Sequence, residues 1–157
     1  MFPNSYVEMY KWKNGTEVVR GRGTCFYPWW TFDSIGDSLE RYRVLSRPWE
    51  CDVQLWLPNW FPIFGSPDLS SIGICCTNAE SDDGPIVCYE HMNGTQAQVE
   101  FVSLRAMLET ILMAYKTGAI SLGKDTRLDI DNLAFARIAR QFNPGVEKSG
   151  WESRENR

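Results

Sequence analysis

Short apolar runs alternate with polar turns through the middle of the chain, a pattern typical of antiparallel strands joined in sequence order. The runs predict a strand at 60–64, a polar turn at 66–71, a strand at 72–76, an acidic turn at 80–84 and a strand at 85–91. Pro62 cannot donate a hydrogen bond to a neighbouring strand, so we predict that the first strand lies at the sheet edge and ends at Gly65. Asn93-Gly94 then predicts a tight turn into a strand at 96–100.

Apolar residues recur at intervals of three and four in four other segments, which places them on one face of a helix. We predict helices at 4–13, from Asp33 or Ser34 to Arg47, from Ser103 to Gly118, and at 129–142. Ser34 and Ser103 can accept hydrogen bonds from the first turn of their helices, and Gly118 suits a helix end. Before the second helix, 17–27 predicts a strand or hairpin and 28–32 an aromatic connection.

The length and the order of elements predict the architecture. A chain of 157 residues is long enough for one domain with its own core. We predict an α+β fold in which helices pack around a mostly antiparallel sheet of about five or six strands. The domain is predicted at 1–146, followed by a frayed polar tail at 147–157, because most residues of the tail are charged or small.

The sequence has neither a signal-peptide pattern nor an apolar run long enough to span a bilayer, so we expect a cytoplasmic protein without membrane association. Its five cysteines form no CxxC pair, and there is one histidine. A zinc site needs four nitrogen or sulfur ligands, and a disulfide framework has an even number of cysteines. We therefore expect reduced, mostly buried thiols, and no metal or other cofactor.

Acidic residues are concentrated in the middle of the chain. From Pro48 to Leu104 there is no lysine or arginine, whereas the rest of the chain carries twelve acidic and sixteen basic residues. The carboxylates in this span are Glu50, Asp52, Asp68, Glu80, Asp82, Asp83, Glu90 and Glu100. Such a surface repels the phosphates of nucleic acids and attracts a basic protein. We expect a protein partner and no nucleic-acid partner.

No catalytic motif accompanies these carboxylates. A Cys-His or Ser-His pair would have to use His91, the only histidine, which we expect at the surface beside a hairpin turn. Glu80, Asp82 and Asp83 lack the alternating spacing and the glycine of an EF-hand loop. They are interpreted as solvated turn residues or as part of a protein-binding patch. We expect no enzymatic activity.

For Trp29 and Trp30 the sequence leaves two roles open, packing in the core or at its rim and contact with a partner. Neighbouring side chains of an extended segment point to opposite sides, so one of the two is expected to point away from the core. The same reasoning applies to Trp56 and Trp60. We predict that at least one of the four indoles is well exposed beside the acidic surface and anchors a partner, while the others pack in the core or at its rim.

Several short motifs, taken in their order, resemble the SUKH superfamily in its Smi/Knr-type branch. They are Pro3-Asn4-Ser5-Tyr6, Tyr10 through Asn14-Gly15, Trp60-Phe61-Pro62-Ile63-Phe64-Gly65, Gly84-Pro85-Ile86, Tyr89-Glu90-His91 and Phe101-Val102-Ser103-Leu104. The resemblance covers roughly residues 3 to 117. Members usually have a helix before the first motif, whereas this chain begins at it, so we expect a shortened or divergent member.

The superfamily includes yeast cell-wall-synthesis regulators and bacterial toxin-immunity proteins, and its layout is the α+β arrangement predicted above. The resemblance implies a bacterial immunity protein that binds a cognate toxin, a nuclease or another basic domain, and neutralises it by occlusion. The alternative that it suggests is a non-enzymatic regulatory scaffold that binds several cellular partners. The residues that we predict to contact the partner are Glu80, Asp82, Asp83, Glu90, Trp29, Trp30 and Asp68.

Overall fold

A curled antiparallel sheet of six strands, covered by helices, forms the centre of the fold. The computed structural model describes residues 2–16, 18–19, 22–23, 25–47, 56–76, 83–91, 97–124, 127–146 and 151. Its helices are α1 (Asn4–Trp12), α2 (Ile35–Leu45), α3 (Leu104–Thr117) and α4 (Asn132–Phe142). Its strands are β1 (Val18–Val19), β2 (Arg22–Gly23), β3 (Cys25–Tyr27), β4 (Trp30–Phe32), β5 (Trp60–Gly65), β6 (Ser71–Cys75), β7 (Ile86–Tyr89), β8 (Gln98–Phe101), β9 (Ile120–Leu122) and β10 (Leu128–Ile130).

The large sheet has the strand order β3-β4-β5-β6-β7-β8, in which every neighbour follows in sequence. Two separate hairpins pair β1 with β2 and β9 with β10. This arrangement confirms the predicted α+β fold. The predicted turn at Asn93-Gly94 lies outside the described residues.

Side-chain caps explain where three of the helices begin. Ser34 and Ser103 each accept a hydrogen bond from the backbone N–H three residues later, at 3.1 and 3.0 Å. Asp131 caps α4 in the same way at 3.0 Å. Gly118 ends α3 with a φ of 80°, a conformation that glycine adopts without strain. The starts of α2 and α3 therefore lie where the sequence predicts them.

The sheet differs from the prediction at β5, which is an interior strand. β4 pairs with one side of β5 and β6 with the other, so the predicted edge position is wrong. Residues 30–32 of the predicted aromatic connection form a strand, β4. In the described register β4 pairs only with Phe64 and Gly65, and the pairing with β6 shifts just after Pro62. The missing N–H of Pro62 thus falls where β5 has a partner strand on one side only.

The β9–β10 hairpin is absent from the sequence-based prediction. Its strands have three residues each, too short for an alternating pattern to stand out. Residues 129–130 pair with β9 and do not join the last helix. Consequently α4 begins at Asn132, three residues later than predicted.

Alternate residues of the central strands pack into two separate cores. Ile72 and Ile74 of β6 belong to the main core, together with residues of α1, α3 and α4. Gly73, between them, faces the opposite side, where a Cβ would lie 2.7 Å from the Trp56 ring. The smaller core on that side consists of Leu45, Trp56, Val87 and Tyr89. The absence of a side chain at Gly73 therefore lets the Trp56 indole lie directly on the sheet.

Trp151 belongs to the main core, although it lies in the segment that we predict as a frayed tail. Its side chain is 1 % exposed, and its indole N–H donates to the Glu100 carbonyl at 2.9 Å. The Arg140 guanidinium lies 5.9 Å from the centre of the ring. At this position the polar composition of the tail is misleading. The boundary at residue 146 stays a prediction, because 147–150 and 152–157 lie outside the described residues.

The described helices are short. The longest, α3, has 14 residues. Within the described ranges no helix combines the length and the apolar character that crossing a membrane would require.

Replacing Trp151 with alanine should lower the free energy of unfolding by about 3–5 kcal/mol, because it removes a large buried side chain and leaves a cavity. Urea titration followed by circular dichroism measures the loss. Trp12→Ala is the matched control, since that indole is 76 % exposed and its removal should change stability by less than about 0.5 kcal/mol. Equal effects of the two substitutions would contradict the packing of Trp151.

Candidate partner-binding surface

Three segments with predicted contact residues lie at one end of the large sheet. Every second connection of an antiparallel meander lies at the same end. The strand registers bring together Pro28–Trp29, residues 66–70 and Glu90–His91, a surface that we call the hairpin end. With strands about 5 Å apart, the distance from β4 to β7 is roughly 14 Å. Trp29, Asp68 and Glu90 therefore share one end of the sheet.

Trp29 is the outermost aromatic residue of the hairpin end. It is 72 % exposed and has a φ of 77° in the turn between β3 and β4. A turn with proline first and a positive φ second normally carries glycine or asparagine at the second position. A residue with a Cβ loses roughly 1–2 kcal/mol in this backbone conformation. Trp29 thus combines backbone strain with an exposed indole, and neither benefits folding.

The other three indoles are packed against the protein. Trp30 and Trp56 are buried, and Trp60 is half-buried. The Trp56 N–H donates to the Trp60 carbonyl at 2.8 Å, and the two rings meet edge to face at 5.6 Å. The alternation expected of Trp29 and Trp30 is therefore present, with Trp29 as the outward member.

Asp68 organises the turn between β5 and β6. Its carboxylate accepts hydrogen bonds from the Ser70 N–H at 3.1 Å, from the Ser70 hydroxyl at 3.0 Å, and from the Ser66 hydroxyl. Partial burial acts to raise the pKa of Asp68, but these hydrogen bonds outweigh it, and the pKa lies below its usual value. Asp68 is exposed at the surface and stays ionised at neutral pH.

Ser70 connects this turn to the end of β7. Its hydroxyl donates to Asp68 and accepts a hydrogen bond from the His91 backbone N–H at 2.9 Å. The His91 ring lies within hydrogen-bond distance of the Tyr89 hydroxyl, at 3.1 Å from Nδ1. Glu90, between Tyr89 and His91, is half-buried. These contacts hold the segments that carry the two carboxylates, Asp68 and Glu90, in a defined relation.

Asp83 lies at the opposite end of the sheet, in the connection between β6 and β7. It accepts hydrogen bonds from the backbone N–H groups of Leu104 and Arg105 at 2.9 and 3.2 Å, and from the Ser5 hydroxyl at 3.2 Å. A carboxylate at this position satisfies the free N–H groups of α3 and complements the helix dipole. Glu80 and Asp82 lie outside the described residues. The predicted contact set is thus divided between two ends of the sheet.

Sequence reasoning overlooks Trp12 as an exposed aromatic. Tyr6 and Tyr10 form the buried side of α1, and Trp12 does not fall on it. The sequence could have indicated its exposure, because Trp12 does not share the helical spacing of Tyr6 and Tyr10. Trp12 is 76 % exposed, comparable with Trp29.

The described residues contain no group of three or more histidine, cysteine, aspartate or glutamate side chains placed to hold a metal ion. The four described cysteines, Cys25, Cys75, Cys76 and Cys88, form no disulfide. Burial raises the pKa of the Cys76 thiol to about 11, so it is protonated at neutral pH. Cys51 lies outside the described residues.

These features define an α+β protein whose curled sheet presents an aromatic and acidic end. The chain belongs to the SMI1/KNR4 family (SUKH-1), whose model matches residues 1–110. The match ends within α3 and leaves β9, β10 and α4 outside it. Members of this family are generally immunity or regulatory proteins without enzymatic activity. Neither the search of curated proteins nor that of solved structures found a match.

The strain at Trp29 predicts an unusual order of stability between two variants. Trp29→Gly should be more stable than Trp29→Ala by about 1 kcal/mol, because glycine adopts the positive φ without a Cβ penalty. At a position with ordinary φ alanine would be the more stable of the two. Thermal and urea unfolding of both variants measure the difference, and an alanine variant of equal or greater stability would be inconsistent with a strained turn.

The position of Asp83 predicts a structural role. Asp83→Ala should destabilise the protein by about 1 kcal/mol, because it removes an acceptor from the first turn of α3. Asp83→Asn, which keeps one carbonyl oxygen, should lose less. Hydrogen exchange of the amides of Leu104 and Arg105 provides the local measurement. Unchanged exchange in Asp83→Ala would show that the carboxylate is dispensable for the helix.

Proposed function

We propose that this protein is a bacterial immunity protein that acts in the cytoplasm, binds a cognate secreted toxin domain and neutralises it by occlusion. The observation that carries the proposal is Trp29, an exposed indole at a strained backbone position, at the same sheet end as the carboxylates of Asp68 and Glu90. Family membership supports the general class. The toxin domain is expected to be basic, such as a nuclease.

Trp29 has the properties of an anchor residue. An indole offers a large rigid area for a small loss of side-chain entropy, and tryptophan is enriched among residues that dominate binding energy. The turn between two paired strands holds Trp29 outward before a partner arrives. Preorganisation of this kind reduces the entropy lost on binding.

The carboxylates supply the electrostatic part of the interaction. Asp68 stays ionised, and Asp68 and Glu90 both belong to the span from Pro48 to Leu104 that lacks lysine and arginine. Charges at an interface mainly accelerate encounter with a partner of opposite charge. On a nuclease they would occupy the basic surface that otherwise binds phosphates, which is how occlusion would prevent substrate binding.

Binding without catalysis is consistent with the contacts of His91. The ring of this histidine lies against the Tyr89 hydroxyl, and its backbone N–H donates to Ser70. These contacts support the end of β7. A role for His91 in positioning Glu90 is therefore part of the proposal, and a role in bond cleavage is not.

Trp29→Ala should weaken binding to the toxin domain by about 2 kcal/mol, a roughly thirtyfold increase in Kd, while folding is retained. We expect a toxin domain to be encoded in the neighbouring reading frame, and that domain is the natural titrant. Calorimetry gives the affinity. Leu122→Ala is the matched control, because Leu122 is 69 % exposed on a separate hairpin. Unchanged affinity of Trp29→Ala would contradict an anchoring role.

The same complex tests the charges. Asp68→Asn combined with Glu90→Gln should slow association at low salt and flatten its salt dependence. Glu80→Gln with Asp82→Asn tests the two predicted carboxylates that lie outside the described residues, and Asp83 is left unchanged because it caps α3. If only the second variant slows association, those two carboxylates carry the electrostatic part of the interaction and Asp68 and Glu90 do not. Absence of any toxin complex, with several weaker cellular partners instead, would favour a regulatory scaffold.

A further inference from the structure

A narrow apolar groove separates α1 from α3 on the surface of the protein. Its volume is about 260 Å³. Its floor is formed by the aromatic residues Phe26, Phe32 and Phe64. Its walls are formed by Met9, Trp12 and Leu108 and by one polar residue, Ser5. The Phe26 and Phe64 rings are stacked 6.0 Å apart, so the floor is a packed surface of the main core. The groove is a preformed concave site that needs no rearrangement to admit an apolar side chain.

The apolar surface continues along α3 beyond the groove. Leu108, Leu112 and Tyr115 are all exposed and lie four and three residues apart, on one side of the helix. The Tyr115 hydroxyl donates to the Phe26 carbonyl at 3.0 Å, which ties this side of α3 to β3. Leu108 lines the groove together with Trp12, so the exposed apolar side of α3 begins at the groove. Apolar surfaces of this kind on a soluble protein mark interaction sites.

The charged residues on α1, on α3 and directly after α1 are four basic and two acidic, in contrast to the net charge of −4 of the whole chain. They are Glu8, Lys11, Lys13, Arg105, Glu109 and Lys116. Glu8 and Glu109 are paired within their own helices, with Lys11 at 2.7 Å and Arg105 at 2.9 Å. A third acid, Asp83, accepts a hydrogen bond from the groove residue Ser5, but its carboxylate also caps the first turn of α3. Lys13 and Lys116 form no ion pair with the other described residues. Lys13 directly follows Trp12, and Lys116 directly follows Tyr115, so both positive charges are close to exposed apolar side chains and available to an acidic ligand.

We propose that this groove, which we call the α1–α3 groove, binds an amphipathic helix of a partner protein. The bound helix would present apolar residues at i, i+3 or i+4, and i+7, with acidic residues on both sides of them. Docking of an apolar helix face into a groove is a recurrent mode of peptide recognition. The nine residues of α1 form a wall roughly 13 Å long, enough to contact two to three turns. The proposal is independent of the function of the hairpin end.

A second copy of this chain is a poorer occupant than an acidic helix. A symmetric dimer through the groove would bring the same basic residues from both copies together. Like charges such as Lys13 and Lys116 would then face each other, which opposes association. An anionic membrane would match the charge, but a flat lipid surface does not fill a concave groove.

Two synthetic peptides of about 16 residues test the proposal with the intact protein. They share one leucine face at i, i+3, i+4 and i+7, flanked by glutamate in the first peptide and by lysine in the second. Fluorescence anisotropy of the labelled peptides should show binding of the glutamate peptide, and binding of the lysine peptide should be at least about tenfold weaker. Trp12→Ala and Leu108→Ala should each weaken binding of the glutamate peptide about tenfold.

Leu133→Ala is the matched control, because Leu133 is 49 % exposed on α4, which contributes no residue to the groove. This variant should bind the glutamate peptide as the unchanged protein does. Thermal unfolding checks that each variant is folded. The proposal is overturned if neither peptide binds, if both bind equally, or if Trp12→Ala binds normally. It is also overturned if Trp12 instead mediates concentration-dependent dimerisation or binding to phosphatidylserine vesicles.

Discussion

The ion pair between Asp33 and Arg41 connects the first half of the sheet to both helices that precede β5. Arg41 Nε donates to the Asp33 carboxylate at 2.7 Å, and both side chains are largely buried. Burial raises the pKa of Asp33, and the hydrogen bond and charge of Arg41 oppose this rise. The ionised carboxylate therefore depends on its partner. Removing one member would leave an uncompensated charge, at a cost of about 3–5 kcal/mol.

The two residues of the ion pair also contact α1 and the turn after β5. Tyr10 of α1 donates to the Asp33 carbonyl at 3.1 Å, and Arg41 donates to the Ser66 carbonyl at 3.3 Å. A Cβ at Gly65 would overlap the Arg41 guanidinium, so the glycine that ends β5 makes room for the arginine. Because Ser66 begins the turn that contains Asp68, the ion pair also supports the hairpin end. Buried neighbours on both sides of the turn, Tyr27 and Trp30, allow Trp29 to keep a strained backbone.

The two exposed indoles in the described part of the chain lie in opposite electrostatic surroundings. Trp29 belongs to the hairpin end with Asp68 and Glu90, whereas Trp12 lies beside the lysines of the α1–α3 groove. Neither exposure contributes to folding, since burying an indole would be more favourable. One domain can therefore present two aromatic surfaces suited to ligands of opposite charge. The difference in charge between the two surfaces arises from the uneven distribution of acidic residues along the chain.

The sequence by itself determined the features that depend on neighbouring residues. Caps at Ser34 and Ser103 locate two helices, alternation separates Trp29 from Trp30, and ordered motifs indicate the family. Only the tertiary structure decided which indole faces outward, that β5 is interior, and that Asp83 caps α3 from 21 residues away. The burial of Trp151 depends in the same way on a contact with Glu100. Periodicity and capping act over a few residues, whereas strand order and burial depend on pairings between distant segments, which no local pattern encodes.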